Sequence, residues 1–303
     1  MRINTNISAM NTYSRLTSAN SAKSGSLAKL SSGLRINKAG DDAAGLAISE
    51  KMKNQVSGMA QATRNAQDGI SLIQTAEGAL SETHSILNRM RDLTVQAAND
   101  TNTNEDRTAI QTEIDSLTTE IERIATDTQF NTKKLMDGGD TNAETTFKFQ
   151  IGANADQNIS VKIKDMSVSS LLSNEEDADA GIEANTASVG EAGVTGGIKV
   201  ATKGTETDAV LDFDAQLKRL DSAIETVSTQ RADLGAVQNR LDHTISNLST
   251  TKENLSEANS RIVDVDMAEE MMSFTKNNIL SQAATSMLAQ ANQMPQGVLS
   301  LLQ

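Results

Sequence analysis

Residues 213–262 read FDAQLKRLDSAIETVSTQRADLGAVQNRLDHTISNLSTTKENLSEANSRI, and the fold turns on that stretch. Apolar residues recur there at every seventh place: Phe213, Leu220, Val227, Leu234, Leu241, Leu248, Leu255 and Ile262. Leu217, Ile224 and Ile245 add a second seam, interrupted by Arg231, Gln238, Lys252 and Asn259. A seven-residue repeat held this long predicts a coiled-coil-like α-helix with one apolar stripe. At 1.5 Å per residue the rod runs about 75 Å. Its stripe cannot stay wet, so other segments must cover it.

Composition agrees with rods rather than a sphere. The chain of 303 residues has five Phe, one Tyr (Tyr13) and no Trp, so a core of Leu, Ile, Met, Val and Ala is expected. The single proline, Pro295, lies near the end and leaves the long patterns unbroken. A net charge of −13 without a basic stripe argues against nucleic acid as a partner. With no cysteine, disulfides and thiolate metal sites are excluded. The segment Met1-Arg2-Ile3-Asn4-Thr5-Asn6 lacks the apolar core of a secretory signal, and no run suits a bilayer, so no membrane partner is expected. These signs predict a soluble chain, cytoplasmic or exported without a cleaved signal.

Two further rods precede the first. Met52, Met59, Ala66, Ile73, Leu80 and Leu87 share one seam, with Ile48, Ala62, Ala76 and Met90 beside it, to about Ala98. The polar run Asn99–Asn104 is a turn. Thr103 and Asp106 stand where a helix-start capping box belongs. The third rod carries Ile110, Ile114, Leu117, Ile121 and Ile124, antiparallel to the second because the connection is short. Thr146–Ile151 and Ile159–Ile163 alternate apolar and polar, predicting a β-hairpin at about 146–163 that lies against helices. Residues 173–210 are rich in Gly, Ala, Thr and acids and read as an exposed variable insertion, with strand-like composition only at Ile198-Lys199-Val200.

The two ends are thinner. Ile3, Ile7, Met10, Leu16, Leu27, Leu30 and Leu34 are spread among Ser, Thr, Asn and Ala. Gly33 and Gly40 punctuate a connector, and Asp41 or Asp42 is placed to cap the next helix. At the other end Met267, Met271, Phe274, Ile279, Leu280, Met287 and Leu288 continue a helix expected to stop at Pro295 and Gly297, before the apolar Val298-Leu299-Ser300-Leu301-Leu302. Neither end buries enough to stand alone. Paired with each other and enclosed by identical copies, they would propagate a helical polymer. The reading is a mainly α fold: long antiparallel helical rods, a small β-hairpin subdomain, and paired terminal helices forming an inner domain.

At this level of detail a resemblance is visible. Leu30–Ser49 (LSSGLRINKAGDDAAGLAIS), Met90–Asn99 (MRDLTVQAAN), Thr128–Asn131 (TQFN), Gly235–Leu241 (GAVQNRL) and Ser286–Leu302 (SMLAQANQMPQGVLSLL) resemble the terminal signatures of bacterial flagellin. The resemblance implies an inner domain from residues 1–43 and 263–303 lining a filament channel, a rod domain from 44–172 and 211–262, and a short insertion at 173–210. Assembly residues would be Ile3, Ile7, Met10, Leu27, Leu30, Leu34, Ile279, Leu280, Met287, Leu288, Val298, Leu299, Leu301 and Leu302. The rod core would be Met52, Met59, Ile73, Leu80, Leu87, Ile114, Leu117, Ile121, Leu220, Val227, Leu234, Leu241, Leu248 and Leu255. Arg89, Leu93, Gln96 and Glu113 match the family's Toll-like receptor contact, although helix packing explains Leu93 and solvation Arg89 equally well.

The implied function is a structural subunit of the swimming filament; the alternative is a hook-filament junction protein with similar ends. Implied partners are further copies of the chain, a flagellar secretion chaperone, hook-associated junction and cap proteins, and host innate immune receptors. The implied location is extracellular, after type III export without a cleaved signal. No enzyme, cofactor or metal is expected. His84 and His243 stand singly on rods, and Asp177-x-Asp179-x-Gly181 breaks off before a calcium loop is complete.

Overall fold

The computed structural model describes residues 6–138, 144–172, 198–200 and 213–301, with side chains omitted for Glu144 and 294–301. In chain order the elements are α1 (Ile7–Ser32), α2 (Ala43–Ala97), α3 (Asn104–Asp127), β1 (Gln129–Phe130), β2 (Lys133–Lys134), β3 (Glu144–Gln150), β4 (Asn158–Lys164), α4 (Val168–Leu172), α5 (Phe213–Val263) and α6 (Met267–Leu301). They form two compact units, 1–57 with 250–303, and 58–249. The divisions fall inside α2 and α5.

In the unit of residues 58–249, α2 runs antiparallel to α5. Arg91 Nε meets Asp221 Oδ1 at 2.7 Å, and Glu77 meets Arg231 at 3.9 Å. Arg89 pairs with Glu113, which places α3 along α2 as well. These exposed pairs report alignment and contribute little energy. The energy comes from the seam. Ile73, Leu80, Leu87 and Met90 of α2, Ile114 and Ile121 of α3, and Leu220, Val227, Leu234 and Leu241 of α5 are all at most 1% exposed. Leu117 is half-buried against the same cluster. α3 begins with the expected box: Thr103 Oγ1 accepts from Asp106 N, and Asp106 Oδ2 accepts from Thr103 N at 2.9 Å. Those bonds hold the Asp106 carboxyl below its usual pKa.

The hairpin β3–β4 is antiparallel, with Phe147 opposite Val161 and Phe149 opposite Ile159. Ile159, Val161 and Ile163 of β4 point inward. It lies on α2, where Gly69 leaves room for it: a Cβ there would stand 3.3 Å from the Phe149 ring. Asn65 Nδ2 donates to Gln150 O at 3.0 Å.

Two glutamines brace extended chain against helices. Gln230, only 3% exposed, donates from Nε2 to Lys162 O at 3.0 Å and accepts from Lys164 N at 3.3 Å. Gln111 donates to Ile198 O at 2.8 Å and accepts from Val200 N at 2.6 Å. Each amide stands in for a neighbouring strand along one edge. Ile198-Lys199-Val200 is therefore neither a regular strand nor part of an exposed insertion. Ile198 and Val200 are 1% and 0% exposed and join the core. The remainder of the expected insertion lies outside the described residues.

Sequence patterning does not announce β1–β2. Its tight turn uses Asn131 (φ 48°) and Thr132 (φ 64°), and a β-branched threonine is a poor signal for a left-handed turn. The short α4 is capped by Glu122, whose Oε2 accepts from Val168 N at 2.9 Å.

In the unit of residues 1–57 and 250–303, α1 and α6 pair antiparallel. Lys23 Nζ donates to Asn278 Oδ1 at 2.9 Å, and Ser281 Oγ to Asn20 Oδ1 at 2.7 Å. Gly33 adopts φ 72° and closes α1, its N–H reaching Lys29 O at 2.9 Å. The chain then bonds to the end of α5: Arg35 N donates to Val263 O and Val265 N to Gly33 O, at 2.6 and 3.0 Å. Asp42 caps α2 by accepting from Gly45 N at 2.9 Å, and Gly45 has no room for a Cβ, which would stand 2.7 Å from Ile36 Cδ1. The expectation that Pro295 and Gly297 end the last helix is corrected: α6 continues to Leu301. A proline removes one backbone bond from a helix without forbidding the turn around it.

Two outcomes check this account. Gln230→Leu strands the Lys162 carbonyl and Lys164 N–H and should lower the stability of the full chain by about 2 kcal/mol in urea unfolding. The Asp106 carboxyl should titrate below its ordinary 3.8. Because the folded pKa is the lower one, its contribution is complete above 3.8 and disappears as pH falls through the folded value. Asp106→Asn should abolish that loss of α3 amide protection in acid.

Candidate functional site: the paired terminal helices

The α1–α6 pair has an inverted composition. The positions it buries are small: Ser26, Ala284 and Ala291 are 7–8% exposed. Among its described side chains ten large apolar ones face away, while Leu16, Leu30, Phe274 and Leu288 are half-buried. Ile7, Met10, Tyr13 and Leu27 of α1 are 55–64% exposed. Met267, Met271, Met272, Ile279, Leu280 and Met287 of α6 are 48–68% exposed. Among the described residues, the remaining exposed large hydrophobics are Ile48 and Val95. Such an array is unlike an isolated soluble surface, where large apolar side chains are scattered singly.

Local sequence explains the inversion. In α1, Ser, Asn, Thr and Ala fill the turns between widely spaced apolar residues, so no continuous stripe can form. The seam is made by small residues and by side-chain hydrogen bonds, which fix register at a net gain of about 1 kcal/mol each. An open cleft of about 640 Å³ runs beside Tyr13, Leu16, Thr17 and Asn20 to Lys38 and Asp41. The loop flanking it is stiffened by Asp41, whose Oδ2 accepts from the backbone N–H groups of Lys38 and Asn37 at 2.9 and 3.1 Å. Those bonds, Lys38 first, hold its pKa below the ordinary value.

Of the expected assembly residues, Ile7, Met10, Leu27, Ile279, Leu280 and Met287 stand exposed on α1 and α6. Leu30, Leu34 and Leu288 are half-buried. Ile3 and Leu302 lie outside the described residues, and Val298, Leu299 and Leu301 are described by backbone alone. Tyr13, Met267, Met271 and Met272 belong to the same exposed array but are not among the expected assembly residues; the sole tyrosine of a thin helix is the signal that could have found the first. Of the expected rod residues, Met59 is 6% exposed, whereas Met52, Leu248 and Leu255 are half-buried.

The four receptor-pattern residues separate. Arg89 forks onto Glu113 Oε1 through Nε and Nη2 at 2.9 and 2.7 Å, with both side chains about half exposed. Gln96 is exposed. Leu93 is 2% exposed and packs in the core beneath them.

Among the described residues no group of three or more His, Cys, Asp or Glu could hold a metal ion. His84 has a buried Nδ1 without a partner but no nucleophile or metal-ligand set around it. The groove between α2 and α3 holds Arg123, and its guanidinium is engaged by Glu120 and Asp127. Among the described residues no helix is long and apolar enough to cross a membrane.

Comparison with known proteins identifies the family. The model of the bacterial flagellin N-terminal helical region matches residues 3–141, and that of the C-terminal helical region matches residues 217–302. A flagellin of Bacillus subtilis is 59% identical, with all of both chains covered. A flagellin of Halalkalibacterium halodurans is 48% identical, again over the whole of both. A solved flagellar hook-associated protein from Vibrio parahaemolyticus shares the fold with a TM-score of 0.54 and 18% identity, covering 74% of this chain and all of that one. The chain thus belongs to the bacterial flagellin family, the structural proteins of the flagellar filament.

Proposed function

We propose that copies of this chain build the filament by burying the outward apolar faces of α1 and α6 against one another. The observation that carries this is the inversion of the pair, with alanine and serine inside and Ile7, Met10, Tyr13, Met272, Ile279 and Met287 outside. Burying the exposed part of each such side chain gains about 1 kcal/mol. One contact is too weak to offset the freedom lost on association, so faces of both helices must engage together. Patches that differ on identical copies add head to tail, and where the rotation between copies does not close a ring they build an open helical filament. Ile3, Leu30, Leu34, Leu288, Val298, Leu299, Leu301 and Leu302 extend the assembly set.

The finer reading follows the family. The subunit leaves the cell unfolded through the flagellar type III apparatus without losing a signal. A secretion chaperone shields the apolar C-terminal segment until then. Hook-associated junction and cap proteins bound the finished tube. For host receptors, Arg89, Gln96 and Glu113 offer an exposed polar patch and Leu93 supports it from below. By family likeness the inner domain would be 1–43 with 263–303, the rod domain 44–172 with 211–262, and the insertion 173–210 apart from Ile198–Val200, which returns to the core.

Seeded growth of the purified full chain, followed by electron microscopy, tests assembly. Ile279→Glu alters an exposed position, so the circular dichroism of the monomer should not change. The concentration needed for tube growth should rise at least about tenfold, the loss of one apolar burial plus a desolvated charge. Removing Ile279 onward should abolish tubes while the unit of residues 58–249 keeps its cooperative unfolding. Normal tubes from either variant would refute the reading. In a receptor reporter assay, Arg89→Ala should reduce signalling without lowering stability. Leu93→Ala should destabilise the chain by about 3 kcal/mol, as large-to-small core changes do.

A further inference from the structure

Proline 295 lies inside α6, which runs from Met267 to Leu301. In an α-helix the N–H of residue 295 would donate to the carbonyl of Ala291, and proline has no N–H to give. Ala291 is 8% exposed, so little water can reach the freed oxygen. An unpaired buried carbonyl is costly.

The missing donor comes from the other end of the chain. Asn6 Nδ2 donates to Ala291 O at 2.8 Å. The same side chain has a second task. Asn6 is the N-cap of α1, and its Oδ1 accepts from Ala9 N at 3.1 Å, while its own carbonyl accepts from Met10 N at 3.1 Å. One amide therefore satisfies an orphan N–H at the start of α1 and an orphan C=O in α6. Asparagine alone among the good capping residues suits both: Asp, Ser and Thr accept as well, but Asp has no N–H and the hydroxyls are too short to span both partners.

We propose that Asn6 and Pro295 form a two-residue lock, in which the proline frees the Ala291 carbonyl and the asparagine amide occupies it. The lock sets the register of α1 against α6 at the chain termini. It keeps the turns after Pro295 helical only when the start of α1 is in place. The terminal segment is thus made conditional on its partner helix, which an uninterrupted helix would not be. Asn6 acts as a positioning residue for assembly, and that consequence rests on the filament reading above.

The test is a mutant cycle on the full chain, labelled in deuterated water on the millisecond scale under polymer-forming conditions, with pellet and supernatant read separately. Asn6→Ser and Asn6→Asp keep a capping oxygen and lose the reaching donor. Each should speed amide exchange over residues 292–301 by about fivefold, the worth of one net hydrogen bond. Exchange in the first turn of α1 should change much less. Pro295→Ala restores the backbone donor, so adding Asn6→Ser to it should produce no further change over 292–301. The lock is overturned if Asn6→Ser exchanges like the unaltered chain, or if it speeds exchange equally with proline or alanine at 295. It is also overturned if residues 292–301 of the unaltered chain show no protection in either fraction. A chain that yields no pellet refutes the filament reading, and the same comparison in the supernatant then decides the lock.

Discussion

Burial of a seven-residue stripe is the constraint on which this structure depends. Along α5 the residues Leu220, Val227, Leu234 and Leu241 are removed from water by Ile73, Leu80 and Leu87 of α2 and Ile114 and Ile121 of α3. A narrow stripe of aliphatic residues can be covered only lengthwise, because no aromatic bulk is available to fill a wide interior. Three helices aligned by their repeats are the simplest cover. The hairpin and the Ile198–Val200 segment then close the remaining side, where helix flanks alone would leave Ile163, Met166 and Val200 wet.

The terminal helices obey the opposite rule. Their mutual seam is made of serine, alanine and amide hydrogen bonds, and their large apolar side chains are turned out. A small-residue seam specifies alignment while contributing little burial. In the proposed assembly this exposed apolar surface is what other copies of the chain cover.

Polar side chains decide details that the hydrophobic pattern leaves open. Gln230 and Gln111 each use both ends of an amide to complete one edge of extended chain, and Asn6 uses both ends of its amide between the start of α1 and Ala291 within α6. In each case the partner is distant in sequence. A buried glutamine on a rod otherwise reads as a break in the stripe, and Asn6 reads as an ordinary cap. None of these roles is visible in periodicity, because a hydrogen bond to remote backbone has no sequence period.

The sequence by itself determined the rods, their antiparallel order, the hairpin near 146–163, the capping box at Thr103 and Asp106, and membership of the family. All of these are local periodicities or contiguous motifs, and propensity and patterning act over short stretches of chain. Only the tertiary structure decided that α6 passes through Pro295, that Ile198 and Val200 leave the insertion for the core, that Leu93 is packed and not presented, and that the ends of the chain are joined through Asn6. Those outcomes depend on which distant group arrives to satisfy a carbonyl or cover a side chain, and that is settled by packing in space.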